Sequence, residues 1–130
     1  MSISQQSQWR WPDFSHTEMA CRHCGAGYDW PLFMDLLQAM RDDIGRPLRV
    51  LSGHRCGIHN ARVGGAPLSQ HLKLAADIAL DSHDPVRLRR AAQHAGFTGF
   101  GYYRTFLHLD LGRPRQWFSP HPSVRDLWQI

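Results

Sequence analysis

Long apolar runs are missing from this 130-residue chain, so a membrane-spanning helix, which needs about 20 apolar residues, is excluded. The opening stretch, Met1 to Arg10, is polar and lacks the apolar centre of a secretory leader. As written, the chain is expected to start in a cytoplasm. Cysteine is scarce, with three residues, and an odd number does not make a full disulfide framework. Internal repeats and low-complexity tracts are absent too, which removes solenoids and tail-like chains. What remains is 42% hydrophobic and 20% charged, an ordinary globular balance that argues against long disorder. The length suits one domain over residues 1–130. Residues 1–12 are expected to form a flexible lead-in and residues 113–130, with Pro114, Pro120 and Pro122, an irregular tail. A monomer is expected.

Fifteen Lys and Arg against eleven Asp and Glu leave a formal charge of +4, with nine His neutral. Such a balance permits attraction to nucleic acid, to anionic membranes or to an anionic wall polymer. The bases are scattered, however, and Arg87, Arg89 and Arg90 form the only tight cluster, which reads as a solvated helix face. Neither a nucleic-acid partner nor membrane insertion is expected.

The punctuation predicts an α+β fold. Asp29-Trp30-Pro31 opens a helix with an acidic cap; Leu32, Phe33, Leu36, Leu37, Met40 and Ile44 recur at helical spacing, and Gly45 stops it. Asp84-Pro85 opens a second, with Leu88, Ala91, Ala92 and Ala95 on one stripe and Gly96 past its end. Strands are expected at Leu48 to Leu51, Ala76 to Leu80, Gly99 to Tyr103 and Phe106 to Leu111. In the last, Leu107, Leu109 and Leu111 share one face, and Phe106, His108 and Asp110 the other. The result is a small, largely antiparallel sheet with helices packed on it.

Polar groups interrupt the apolar strands. Asp77 stands in one, His108 and Asp110 in another, and His71 lies in the loop that enters the first. Two His and one Asp suit Zn²⁺, and three protein ligands with one open position form the catalytic arrangement. Such an ion makes water more acidic and polarises a carbonyl. The bland reading leaves His71 on a surface loop and Asp77 and His108 as solvated strand positions.

Around these residues run Ser52-Gly-His-Arg55, His59-Asn60, Val63-Gly-Gly-Ala66, Ser69-Gln-His71 and Ala75-Ala-Asp77-Ile78, then Gly99-Phe-Gly-Tyr-Tyr103 and Phe106-Leu-His108-Leu-Asp110. Over roughly Phe14 to Trp117 this series resembles the zinc D-Ala-D-Ala peptidases, cell-wall carboxypeptidases and endopeptidases of the hedgehog/DD-peptidase fold. The resemblance implies a zinc enzyme that cuts peptidoglycan stem peptides. By motif position it implies His71, Asp77 and His108 as metal ligands, Arg55 as the group steadying the oxyanion, and Ser69 at the substrate. A phage or prophage lysin fits these expectations, as does a housekeeping enzyme of the wall. A binding module that keeps the metal and has lost catalysis is the rival. Two departures stand out. His71 and Asp77 are one residue closer than in the family pattern, and Thr105 occupies the position where many relatives carry a carboxylate base. Asp110, on the strand face of His108, is the expected substitute, against an orienting role toward that histidine.

The cysteines allow two further arrangements. Cys21-Arg-His-Cys24 with Cys56-Gly-Ile-His59 has the spacing of a closed structural Zn²⁺ site. A single disulfide from Cys56 to Cys21 or Cys24 is the other.

Overall fold

The computed structural model describes residues 9–130. The first eight positions of the expected lead-in lie outside these residues. In the rest of it Trp11 is buried, and its indole N–H donates to Asp35 Oδ1 at 2.9 Å.

Helix α1, His16–Met19, starts with a reciprocal cap. Ser15 Oγ accepts from the Glu18 N–H, and Glu18 Oε1 accepts from the Ser15 N–H. Helix α2, Pro31–Ile44, buries Phe33, Met34, Leu37, Met40 and Ile44 and ends at Gly45 with φ of 68°. Leu32 of the expected apolar stripe faces solvent. The expected acidic cap is also absent: Trp30 holds the cap position without a side-chain bond. Pro31 at the first turn has a preset φ and no N–H to satisfy, so one orphan donor fewer needs capping.

Strand β1, Val50–Ser52, begins later than expected. Its register with the next strand slips between Val50 and Ser52, and Leu48 is buried outside the strand. A short helix α3, Gly57–Arg62, and a single 3₁₀ turn, Gln70–Leu72, lead into β2, Ala76–Ala79. Helix α4, Pro85–Ala95, is capped by Asp84, whose Oδ1 accepts from the Val86 N–H, and ends at Gly96. Strands β3, Gly99–Tyr102, and β4, Phe106–Asp110, follow as expected to within a residue.

The tail expectation is corrected. Residues 113–130 hold strand β5, Arg115–Phe118, and helix α5, Val124–Trp128. Pro114 precedes the strand, and Pro120 and Pro122 separate it from the helix, so the prolines mark element ends. Val124 and Trp128 are wholly buried, and the Trp128 indole N–H donates to the Tyr103 carbonyl at 3.0 Å.

The five strands lie in the order β1-β2-β4-β3-β5, antiparallel except for β3 beside β5. Ala76, Ile78, Leu107, Leu109, Phe100 and Tyr102 join α2 and α4 in one apolar core. Strand alternation therefore sends Asp77, His108 and Asp110 to the opposite face. Among the described residues, no helix is long and apolar enough to cross a membrane.

Candidate metal centre

One row of residues crosses that opposite face. Ser52 pairs with Asp77, Asp77 with His108, His108 with Gly101 and Gly101 with Trp117. Direct antiparallel partners hold their Cβ atoms about 5 Å apart, so Asp77 and His108 meet without any loop adjusting. His108 Nδ1 lies 3.0 Å from Asp77 Oδ1.

His71 arrives from the 3₁₀ turn. The Ser69 hydroxyl accepts the His71 backbone N–H at 3.2 Å and so caps the turn. That is where the structure places Ser69, expected at the substrate. The His71 Nδ1–H donates to the Gly53 carbonyl at 2.6 Å, which leaves Nε2 3.2 Å from Asp77 Oδ1. The shortened spacing from His71 to Asp77 thus still lets both side chains converge.

One donor atom from each of His71, Asp77 and His108 lies within 4.8 Å of the other two, and all three residues are buried. The donor set fits a divalent cation. With Nδ1 of His71 committed to a carbonyl, a lone pair on Nε2 would face a carboxylate oxygen. Two acceptors so close repel unless a proton or a cation lies between them. Nitrogen and carboxylate ligands in this number are those of Zn²⁺.

Arg55 joins the cluster. Its Nη2 is 3.7 Å from Asp77 Oδ2, its Nη1 donates to Asn60 Oδ1 at 3.2 Å, and its backbone N–H donates to the His71 carbonyl. A Cβ at Gly65 would press on the Asn60 amide and lie 2.9 Å from Arg55 Nη1. Gly65 therefore leaves room for the guanidinium.

Asp110 is brought to the cluster in a different role from the one expected. It is fully buried, and both oxygens are occupied: Oδ1 accepts from Gly112 N–H and Arg115, and Oδ2 from His108 Nε2–H and Arg115. Burial works against its charge, but the bonds from His108, Arg115 and Gly112 hold its carboxyl well below the usual range. With no exposed surface and every oxygen bonded, Asp110 sits as the orienting alternative has it, behind His108, rather than open to water as a base would be. Thr105, exposed at the start of the β4 hairpin, supplies no base either. Asp77 is likewise held well below the usual range by the two histidines, against burial. His108, with a carboxylate at each ring nitrogen, has its pKa raised although burial opposes it.

The sequence reading gave no role to Arg115 or Trp117, nor to the two glycines of β3 beside them. Arg115 forms a two-bond ion pair with Asp110, Trp117 packs on His108 with ring centroids 5.0 Å apart, and Gly99 and Gly101 make space for them. A Cβ at Gly101 would lie 2.5 Å from the Trp117 ring, and one at Gly99 would collide with Asp110. Alternation of Arg115 and Trp117 was the available signal, hidden among prolines.

A cavity of about 650 Å³ lies elsewhere, among Trp9, Trp11, His16, Tyr28, Trp30 and Met34, and none of the cluster lines it. The cluster lies on the sheet face, apart from this cavity. Compared with known families, residues 12–110 match the model described as Peptidase M15. Comparison with curated proteins finds no match.

Proposed function

The chain belongs to the peptidase M15 family, and from that premise we propose that it is a zinc-dependent hydrolase of peptide bonds in bacterial peptidoglycan stem peptides. Within that reading it acts as a D,D-carboxypeptidase or an endopeptidase, the activity of a phage or prophage lysin or of a wall enzyme. The observation that carries this is the convergence of His71, Asp77 and His108 beside Arg55.

His71, Asp77 and His108 would hold the ion, which when bound polarises the scissile carbonyl and acidifies water. Arg55 is positioned to bind the carbonyl oxygen as negative charge develops on it, held in place by Asn60 and Ser52. Asp110 keeps the proton of His108 on Nε2, so that Nδ1 faces Asp77 and the cluster. Arg115 fixes Asp110 from behind. Trp117 covers one side of His108 and limits the approach of water there.

Purified peptidoglycan incubated with the zinc-loaded chain is expected to release new amines or D-Ala. No release from a fully loaded sample would overturn the reading. One observation favours a second: both carboxylates of the cluster are engaged, and the hydrogen bonds and ion pairs of its histidines reach no third one among the described residues. That arrangement suits a wall-binding module without turnover. Binding of stem peptides with no product would select it.

A further inference from the structure

Away from the sheet face, three thiols from two distant stretches of chain meet. The sulfurs of Cys21, Cys24 and Cys56 all lie within 4.8 Å of one another. Cys21 and Cys24 flank the turn that follows α1, and Cys56 is the cap of α3. A fourth donor stands beside them: His23 Nδ1 is 3.5 Å from Cys56 Sγ. That separation is close to an edge of a tetrahedron with metal–ligand bonds of about 2.0–2.3 Å.

The backbone is arranged for thiolate sulfur. The N–H groups of His23 and Cys56 both point at Cys21 Sγ, at 3.4 and 3.3 Å, and the His59 N–H donates to Cys56 Sγ at 3.4 Å. Each puts a partial positive charge on a sulfur that must carry negative charge to bind a metal. A disulfide would use two sulfurs and leave the third with no reason to converge. His59, which the sequence spacing offered as the fourth ligand, gives its backbone N–H instead, while its ring stacks parallel to His23 with centroids 6.3 Å apart.

We propose that Cys21, Cys24 and Cys56, with the imidazole of His23, form a second metal site that binds one structural Zn²⁺. The site is closed and separate from the His71, Asp77 and His108 cluster. Its position gives it a purpose. Cys56 follows Arg55, the His54 N–H donates to the Met19 carbonyl at 2.9 Å, and a Cβ at Gly53 would collide with the Met19 backbone. An ion here ties the end of α1 to the loop that carries Arg55 and the Gly53 carbonyl that orients His71.

The test uses the full chain, purified under reducing conditions, with metal content measured by mass spectrometry and cobalt substituted for zinc. Wild type is expected to hold two equivalents, and His108→Ala and Cys24→Ser one each. Cobalt in wild type and in His108→Ala should give a thiolate charge-transfer band in the near ultraviolet, which a nitrogen and carboxylate site does not give. Cys24→Ser should lose that band. Cys24 is exposed, so its substitution is compatible with folding. His23→Ala, which keeps all three thiols, should weaken metal retention while His59→Ala does not. A band that survives Cys24→Ser, a full two equivalents in that variant, or a disulfide among the three cysteines would overturn the proposal. So would a stronger effect of His59→Ala than of His23→Ala. If the sheet-face cluster binds no metal, wild type and His108→Ala each retain one equivalent and the band, which separates the two failures.

Discussion

Asp110 shows how the neighbours of a carboxylate decide its chemistry. Facing solvent on the same strand, it would titrate as a base; buried between His108 and Arg115, it is a fixed negative charge. Asp110→Asn keeps the shape and removes that charge. In the metal-free protein it is expected to cost about 2 kcal/mol, less than a fully buried pair because Arg115 is partly exposed. The sign with pH follows from the depressed pKa. The charge stabilises fully above the unfolded value of about 3.9, and that contribution is lost as pH falls toward the lower folded value. The gap between wild type and Asp110→Asn should therefore narrow on acidification, as urea midpoints at about pH 6 and about pH 3 will show. A gap independent of pH would mean the pair carries no charge. Arg55 is the second case. If it meets the developing oxyanion, Arg55→Ala should lower kcat by about 10²–10³ while zinc content stays the same. Steady-state kinetics with metal analysis on the same sample decides this, and lost metal would assign Arg55 to the cluster's assembly instead.

At the scale of the element, β3 carries the site by what it omits. Gly99 and Gly101 alternate with Phe100 and Tyr102, so one face packs the core while the other is bare backbone. The Trp117 ring and the Asp110–Arg115 pair occupy that bare face. Gly101→Ala sets a methyl 2.5 Å from the indole and should destabilise by about 1–3 kcal/mol, an overpacking cost. Near-ultraviolet circular dichroism should report the displaced indole, and chemical denaturation the loss. An unchanged midpoint would show that Trp117 swings away freely.

The whole molecule is one sheet with a packed face and a chemical face, and its C-terminal stretch closes the packed one. Trp128 is wholly buried against Tyr102, ring centroids 5.2 Å apart, on a helix that lies beyond the family match. Trp128→Ala should cost about 3–5 kcal/mol, the range for deleting a large buried aromatic. Thermal unfolding would register this as a clear fall in Tm. A negligible shift would return residues 113–130 to the irregular tail that their prolines suggested.

Sequence by itself determined what repeats locally. Helical spacing from Phe33 to Ile44, the Asp84-Pro85 start and the glycine stops specified α2 and α4, because side-chain period and capping act over a few residues. Alternation in β2 and β4 likewise assigned Asp77 and His108 to the face opposite the leucines, and the ordered motifs carried the family. Only the tertiary structure decided which polar groups meet. The register of β2 against β4 put Asp77 beside His108, and the parallel addition of β5 brought Arg115 to Asp110 and so paired that carboxylate on the side away from Asp77. The exchange of His59 for His23 beside Cys56 has the same origin. A partner's approach from a distant strand or loop leaves no period in the chain, and the state of a buried charge depends on that approach.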